Sequence, residues 1–111
     1  MLYDFGALQK DIRQWEDKVG RPAAVIGRSV CGRPLYGLWM GSGQETAVIL
    51  AGFHGMEWIT SAVLMDYAHH CLRVPPPVRV LMVPMVNPDG VEISLHGAQT
   101  AGPYAPQVRN I

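Results

Sequence analysis

Charge is scarce in this chain. Only 16% of its 111 residues are charged, and 9 Lys plus Arg offset 9 Asp plus Glu. That balance removes the electrostatic case for a nucleic-acid partner or an anionic membrane surface. No block of like charge marks an interaction tail, and no uncharged apolar run approaches membrane-spanning length. Cysteine is nearly absent. Cys31 and Cys71 stand apart with no Cys-x-x-Cys pair, which reads as two buried free thiols in a reducing compartment, with a single disulfide left open. Met1-Leu2-Tyr3-Asp4-Phe5 has no basic region leading into an apolar one, so no signal peptide is expected and a soluble cytoplasmic protein is the default. What is abundant is apolar: 49% of the residues are hydrophobic, enough for the modest core of one domain at most.

From Asp4 to Lys18 the spacing predicts an amphipathic helix. Asp4 serves as N-cap, Phe5, Leu8, Ile12, Trp15 and Val19 form the apolar stripe, and Gly20 stops the helix ahead of Pro22. Nothing there suggests chemistry. Ala24 to Val30 and Leu35 to Met40 read as a β-hairpin around the turn Cys31-Gly32-Arg33-Pro34. Gly41-Ser42-Gly43 is a flexible turn. No helix follows it, which excludes a phosphate-cradling loop and with it a small nucleotide-binding domain.

Thr46 to Ala51 lacks polar alternation and is expected to be a central strand covered on both faces. It delivers the chain to His54-Gly55-Met56-Glu57-Trp58-Ile59-Thr60. His-x-x-Glu at a strand-to-helix junction can aim an imidazole and a carboxylate at one point, two of the three protein ligands that a catalytic zinc requires. By itself the pair is more often two polar residues at a helix start. A helix over about Met56 to Arg73 is expected next. At 100° per residue, Glu57 shares a side with Ser61, Leu64, Ala68, Cys71 and Leu72, and a carboxylate at the edge of a buried face needs a partner or a metal. Asp66, His69, His70 and Arg73 cluster on the opposite side as solvated residues.

Pro75-Pro76-Pro77 ends that helix, and Val78 to Val86 reads as a strand with Pro84 awkward near its end. Strand, helix, strand predicts a right-handed crossover between parallel neighbours, with ligands gathering at the carboxyl ends where His54 and Asn87 fall. Asn87-Pro88-Asp89-Gly90 is a turn sequence. Residues 97–111 show no period and read as a loop, and His96 reads as a surface-loop residue.

Taken in order, these motifs resemble the zinc carboxypeptidase (carboxypeptidase A-like) metallopeptidase family. Ile26 to Pro34 is similar to its hairpin segment, His54 to Thr60 to its first zinc-ligand segment, and Asn87 to Gly90 to its Asn-Pro-Asp-Gly turn. Residues 84–92 look most like the bacterial branch that cleaves γ-D-glutamyl-diamino acid bonds in cell-wall peptides.

The resemblance implies an α/β fold: the N-terminal part of a carboxypeptidase-like mixed sheet flanked by helices, within a single catalytic domain. It implies zinc as cofactor, His54 and Glu57 as metal ligands, and zinc-promoted water attack on an amide of a peptide, including a peptidoglycan stem peptide. The family's third ligand, general base and basic substrate-binding residues have no counterpart before Ile111, so no catalytic residue is assigned within the chain. Arg109-Asn110 reverses the family's Asn-Arg order and takes no role. Met56 stands where pancreatic-type members have an Arg that contacts substrate. The competing reading is a non-catalytic carboxypeptidase-like binding module, which would need a finished sheet edge.

Overall fold

The computed structural model describes residues 2–108, so Arg109-Asn110 lies outside the described residues. Helix α1 (Phe5–Val19) starts where Asp4 accepts a hydrogen bond from the Ala7 N–H, and ends at Gly20, whose φ of 78° suits a residue without a Cβ. Phe5, Leu8, Ile12 and Trp15 are buried, as the spacing predicts. Strands β1 (Ala24–Arg28) and β2 (Pro34–Met40) pair antiparallel as the expected hairpin, with a register irregularity between Val25 and Gly27.

Strand β3 (Thr46–Leu50), helix α2 (Ile59–His70) and strand β4 (Arg79–Val83) form the crossover, and β3 and β4 are parallel neighbours. Because β2 also pairs β4, antiparallel, the sheet is mixed, with strand order β1-β2-β4-β3. Pro84 falls one residue past β4 and breaks no ladder.

Alternation in β2 and β4 shows where the core lies. Leu38 pairs Met82 and Met40 pairs Val80, and all four are buried in one cluster with α1 and α2 side chains. Trp39 and Leu81 take the other face, where the Arg79 guanidinium sits 4.3 Å from the Trp39 ring. The helices therefore cover one face of the sheet. Strand β3 departs from expectation here. It lies at the sheet edge, and although Ile49 packs toward the core, Val48 and Leu50 are open at 56% and 45% exposure. Its apolar sequence is that of an interior strand, yet among the described residues one face and one edge lack cover.

Three other expectations change. The helix predicted over Met56 to Arg73 is interrupted: a 3₁₀ turn, Gly55–Glu57, precedes α2. Asn87-Pro88-Asp89-Gly90 is the entry to helix α3 (Pro88–His96) rather than an isolated turn, because Asn87 caps it by accepting from the Gly90 N–H and Pro88 suits the first helical position. Residues 98–107 form short 3₁₀ pieces broken at Gly102 rather than a patternless loop.

Candidate metal centre

The end of β3 is stitched to the end of β4 beyond their ladder. Ala51 N–H donates to Val83 O, Val86 N–H to Ala51 O, and Asn87 N–H to Gly52 O, each at 2.9–3.0 Å. At Gly52 the chain turns with φ 70°, and a Cβ there would meet the Ser61 hydroxyl at 2.7 Å and the Met85 Cα at 3.0 Å. Only glycine fits this corner.

His54 follows, and Glu57 closes the 3₁₀ turn with its N–H donating to His54 O at 2.9 Å. Thr60 fixes that turn. Its hydroxyl donates to Glu57 O at 2.8 Å and accepts from the Gly52 N–H at 3.0 Å, so one side chain ties the turn to the strand end. The sequence pattern contained Thr60 but gave it no role, since its two partners are backbone atoms that meet only after the turn has formed.

The Asn-Pro-Asp-Gly segment braces the motif from the other side. Asn87 Nδ2 donates to Phe53 O at 3.1 Å while its Oδ1 caps α3. Gly55 is buried against Gly90, and a Cβ on Gly55 would lie 2.1 Å from Gly90 O. Asp89 points away, toward the hairpin turn. It accepts from Ser29 Oγ, Cys31 N–H and Arg33 Nη1 at 2.8, 3.0 and 2.8 Å. Burial pushes its carboxyl up, but the Arg33, Cys31 and Ser29 hydrogen bonds outweigh this and hold it below the ordinary carboxylate range. The three recognised motifs are thus one connected unit.

Both candidate ligands are exposed, and among the described residues neither side chain makes a hydrogen bond or ion pair. The burial expected of Glu57 is not found. The 3₁₀ turn winds more tightly than an α-helix and shifts Glu57 off the stripe that buries Ser61, Leu64, Met65 and Ala68. An imidazole and a carboxylate three residues apart, unengaged and held at the carboxyl end of a parallel strand, have the chemistry of a zinc pair. Among the described residues no third His, Cys, Asp or Glu joins them: the one cluster of three such groups is Asp4, Glu92 and His96, elsewhere in the fold. His69 is not a solvated surface residue either, since its Nε2 contacts Asp11 Oδ1 at 2.5 Å and bridges α2 to α1. His96 ends α3 and pairs with Asp4 at 3.0 Å.

A family model described as zinc carboxypeptidase matches residues 21–102, which contain the hairpin, the His54–Glu57 segment and the Asn87–Gly90 segment. The chain is 35% identical over 121 aligned residues to an uncharacterized Bacillus subtilis protein, YqgT, covering 91% of this chain. It is 30% identical over 114 aligned residues to gamma-D-glutamyl-L-diamino acid endopeptidase 1 of Lysinibacillus sphaericus, covering 86% of this chain. The chain spans about a third of the length of these curated relatives, 32% and 28% respectively. With most of its length matched in this way, the chain belongs to the zinc carboxypeptidase family.

Proposed function

We propose that residues 1–111 are the N-terminal portion of a single zinc-peptidase catalytic domain. In this reading the domain hydrolyses a peptide or γ-D-glutamyl amide bond, with a peptidoglycan stem peptide as the substrate class. The observation that carries the proposal is the presentation of unengaged His54 and Glu57 at the carboxyl end of β3, beside the Asn87 cap. The endopeptidase relative supports the choice of bond.

His54 and Glu57 would hold the zinc through an imidazole nitrogen and a carboxylate oxygen. A zinc ion held there would supply Lewis-acid chemistry for amide hydrolysis. The contribution of this chain is geometric. Thr60 and Asn87 fix the backbone on both sides of the pair, so neither ligand pays the full ordering cost when it binds. The third ligand and the general base lie outside these residues in this reading, and residues 1–111 alone hydrolyse nothing.

The open face of β3 weighs against the binding-module alternative. Val48, Leu50 and Phe53 are about half exposed along an edge that a self-sufficient module would cover or charge. The test uses the protein as its gene encodes it. His54→Ala and Glu57→Ala should each lose one equivalent of zinc relative to the parent by metal analysis and lose hydrolysis of a γ-D-glutamyl-diamino acid peptide, while far-ultraviolet circular dichroism stays unchanged. Full zinc content in either variant would overturn the assignment.

A further inference from the structure

A second group of metal-ligating side chains lies where the N-terminus of α1 meets α3. Asp4, Glu92 and His96 each offer one ligand atom, and these atoms all lie within 4.8 Å of one another. Glu92 and His96 are four residues apart on α3, so they share one face of that helix. Asp4 reaches them from the cap of α1.

Their orientation is fixed by contacts that leave ligand atoms available. Asp4 commits Oδ1 to the Ala7 N–H at 2.8 Å, which leaves Oδ2 facing His96 Nε2 at 3.0 Å. Glu92 commits Oε2 to the Phe5 N–H at 3.2 Å, which leaves its other oxygen. Backbone donors holding the far oxygen of a carboxylate are what outer contacts do in metal sites. The N···O separation of 3.0 Å also suits metal insertion, because ligands at about 2.0–2.2 Å from a zinc-like ion are roughly 3–3.5 Å from each other. With all three ligand atoms already within 4.8 Å of one another, side-chain rotation alone can bring them to the spacing of a shared ion. Two carboxylates and a neutral imidazole give a net charge of about −2, and the imidazole favours a borderline transition ion over calcium or magnesium. His96 and Asp4 keep 42% and 33% of their side-chain surface, which leaves room for water to complete coordination.

We propose that Asp4, Glu92 and His96 form a structural site for a zinc-class divalent cation that staples the start of α1 to α3, separate from the His54–Glu57 pair. The ion takes the place of the direct His96–Asp4 contact and joins the first helix of the chain to the helix that Asn87 caps.

The test uses the 111-residue chain carrying His54→Ala and Glu57→Ala, so that a failure of the first metal pair does not affect the result. Zn²⁺ titrated calorimetrically into this protein should bind one-to-one with micromolar affinity, and Zn²⁺ should raise its Tm. Adding His96→Ala or Glu92→Gln should weaken binding at least tenfold and abolish the Tm rise. Asp4→Asn preserves the helix cap, so it should weaken binding while leaving the metal-free Tm within about 2 °C. Co²⁺ should give a visible absorption band that is lost with His96→Ala. No binding in the double variant, or binding unchanged by His96→Ala and Glu92→Gln, would overturn the proposal.

Discussion

The contact between Gly55 and Gly90 makes Gly55→Ala the sharpest perturbation available. The added Cβ would sit 2.1 Å from Gly90 O and 2.4 Å from the Gly90 carbonyl carbon. Side-chain carbons are essentially never found under 3.0 Å, so the 3₁₀ turn and α3 must separate by about 0.9 Å. Both obstacles are backbone, and no rotamer change relieves them. Overpacking of this kind costs about 1–3 kcal/mol, or more where the backbone cannot yield. A domain near this size loses about 4–8 °C of Tm per kcal/mol, so the drop should be roughly 5–20 °C. The separation also pulls Asn87 Nδ2 from Phe53 O, so backbone amide exchange at residues 52–57 should accelerate more than in α1. Gly27→Ala is the control: its Cβ would meet only Leu35 at 3.8 Å, an ordinary contact, and its effect should be small or stabilising. Thermal and urea unfolding measure both. If Gly55→Ala unfolds within 1 °C of the parent, the claim that the two motifs pack backbone to backbone is wrong.

The other expectations concern single polar contacts. Thr60→Val should destabilise by about 1–2 kcal/mol in urea unfolding, because the Gly52 N–H loses its acceptor, and Thr60→Ser should recover most of the loss. Ser61 is fully buried and its hydroxyl has no partner among the described residues, so Ser61→Ala should be neutral or stabilise by up to about 1 kcal/mol. Asp89→Ala should cost about 2–4 kcal/mol, since it removes the partner of Arg33 Nη1, which leaves that guanidinium only Thr100 O, and the acceptor of the Cys31 N–H. The pH dependence has a definite sign. The folded-state pKa of Asp89 lies below the ordinary 3.8, so its stabilisation is present above that pH and is lost as pH falls through the depressed value. The difference in stability between parent and Asp89→Asn should therefore be constant from pH 5 to 7 and shrink below about pH 4.

Local signals carried much of the architecture. Asp4, the apolar stripe of α1 and Gly20 are short-range features whose partners lie within a few residues, so α1 was legible in the sequence to within one residue. The hairpin and the parallel β3–β4 pair followed from turn chemistry and crossover handedness. Position in the sheet did not follow. The apolar run of β3 reports what the strand is built to be covered by, not what covers it within these residues. One unbroken helical phase would bury Glu57, and a three-residue 3₁₀ turn is enough to rotate it to the surface. α3 was hidden because Asn-Pro-Asp-Gly has both turn and helix-cap chemistry, and only packing against the 3₁₀ turn selects the second. The histidine contacts with Asp4 and Asp11 span 92 and 58 residues, beyond any periodicity.

The central claim is that His54 and Glu57 form a zinc pair that is incomplete in residues 1–111. It is tested most directly by histidine side-chain NMR of the 111-residue chain carrying His96→Ala, titrated with Zn²⁺. The ring resonances of His54 should shift with a Kd weaker than about 10 µM, because two ligands supply only part of the free energy of a full shell. That shift should disappear with Glu57→Gln, while His69 and His70 stay unperturbed. Unmoved His54 resonances at millimolar zinc would contradict the assignment, and tight stoichiometric binding at His54 would contradict its incompleteness.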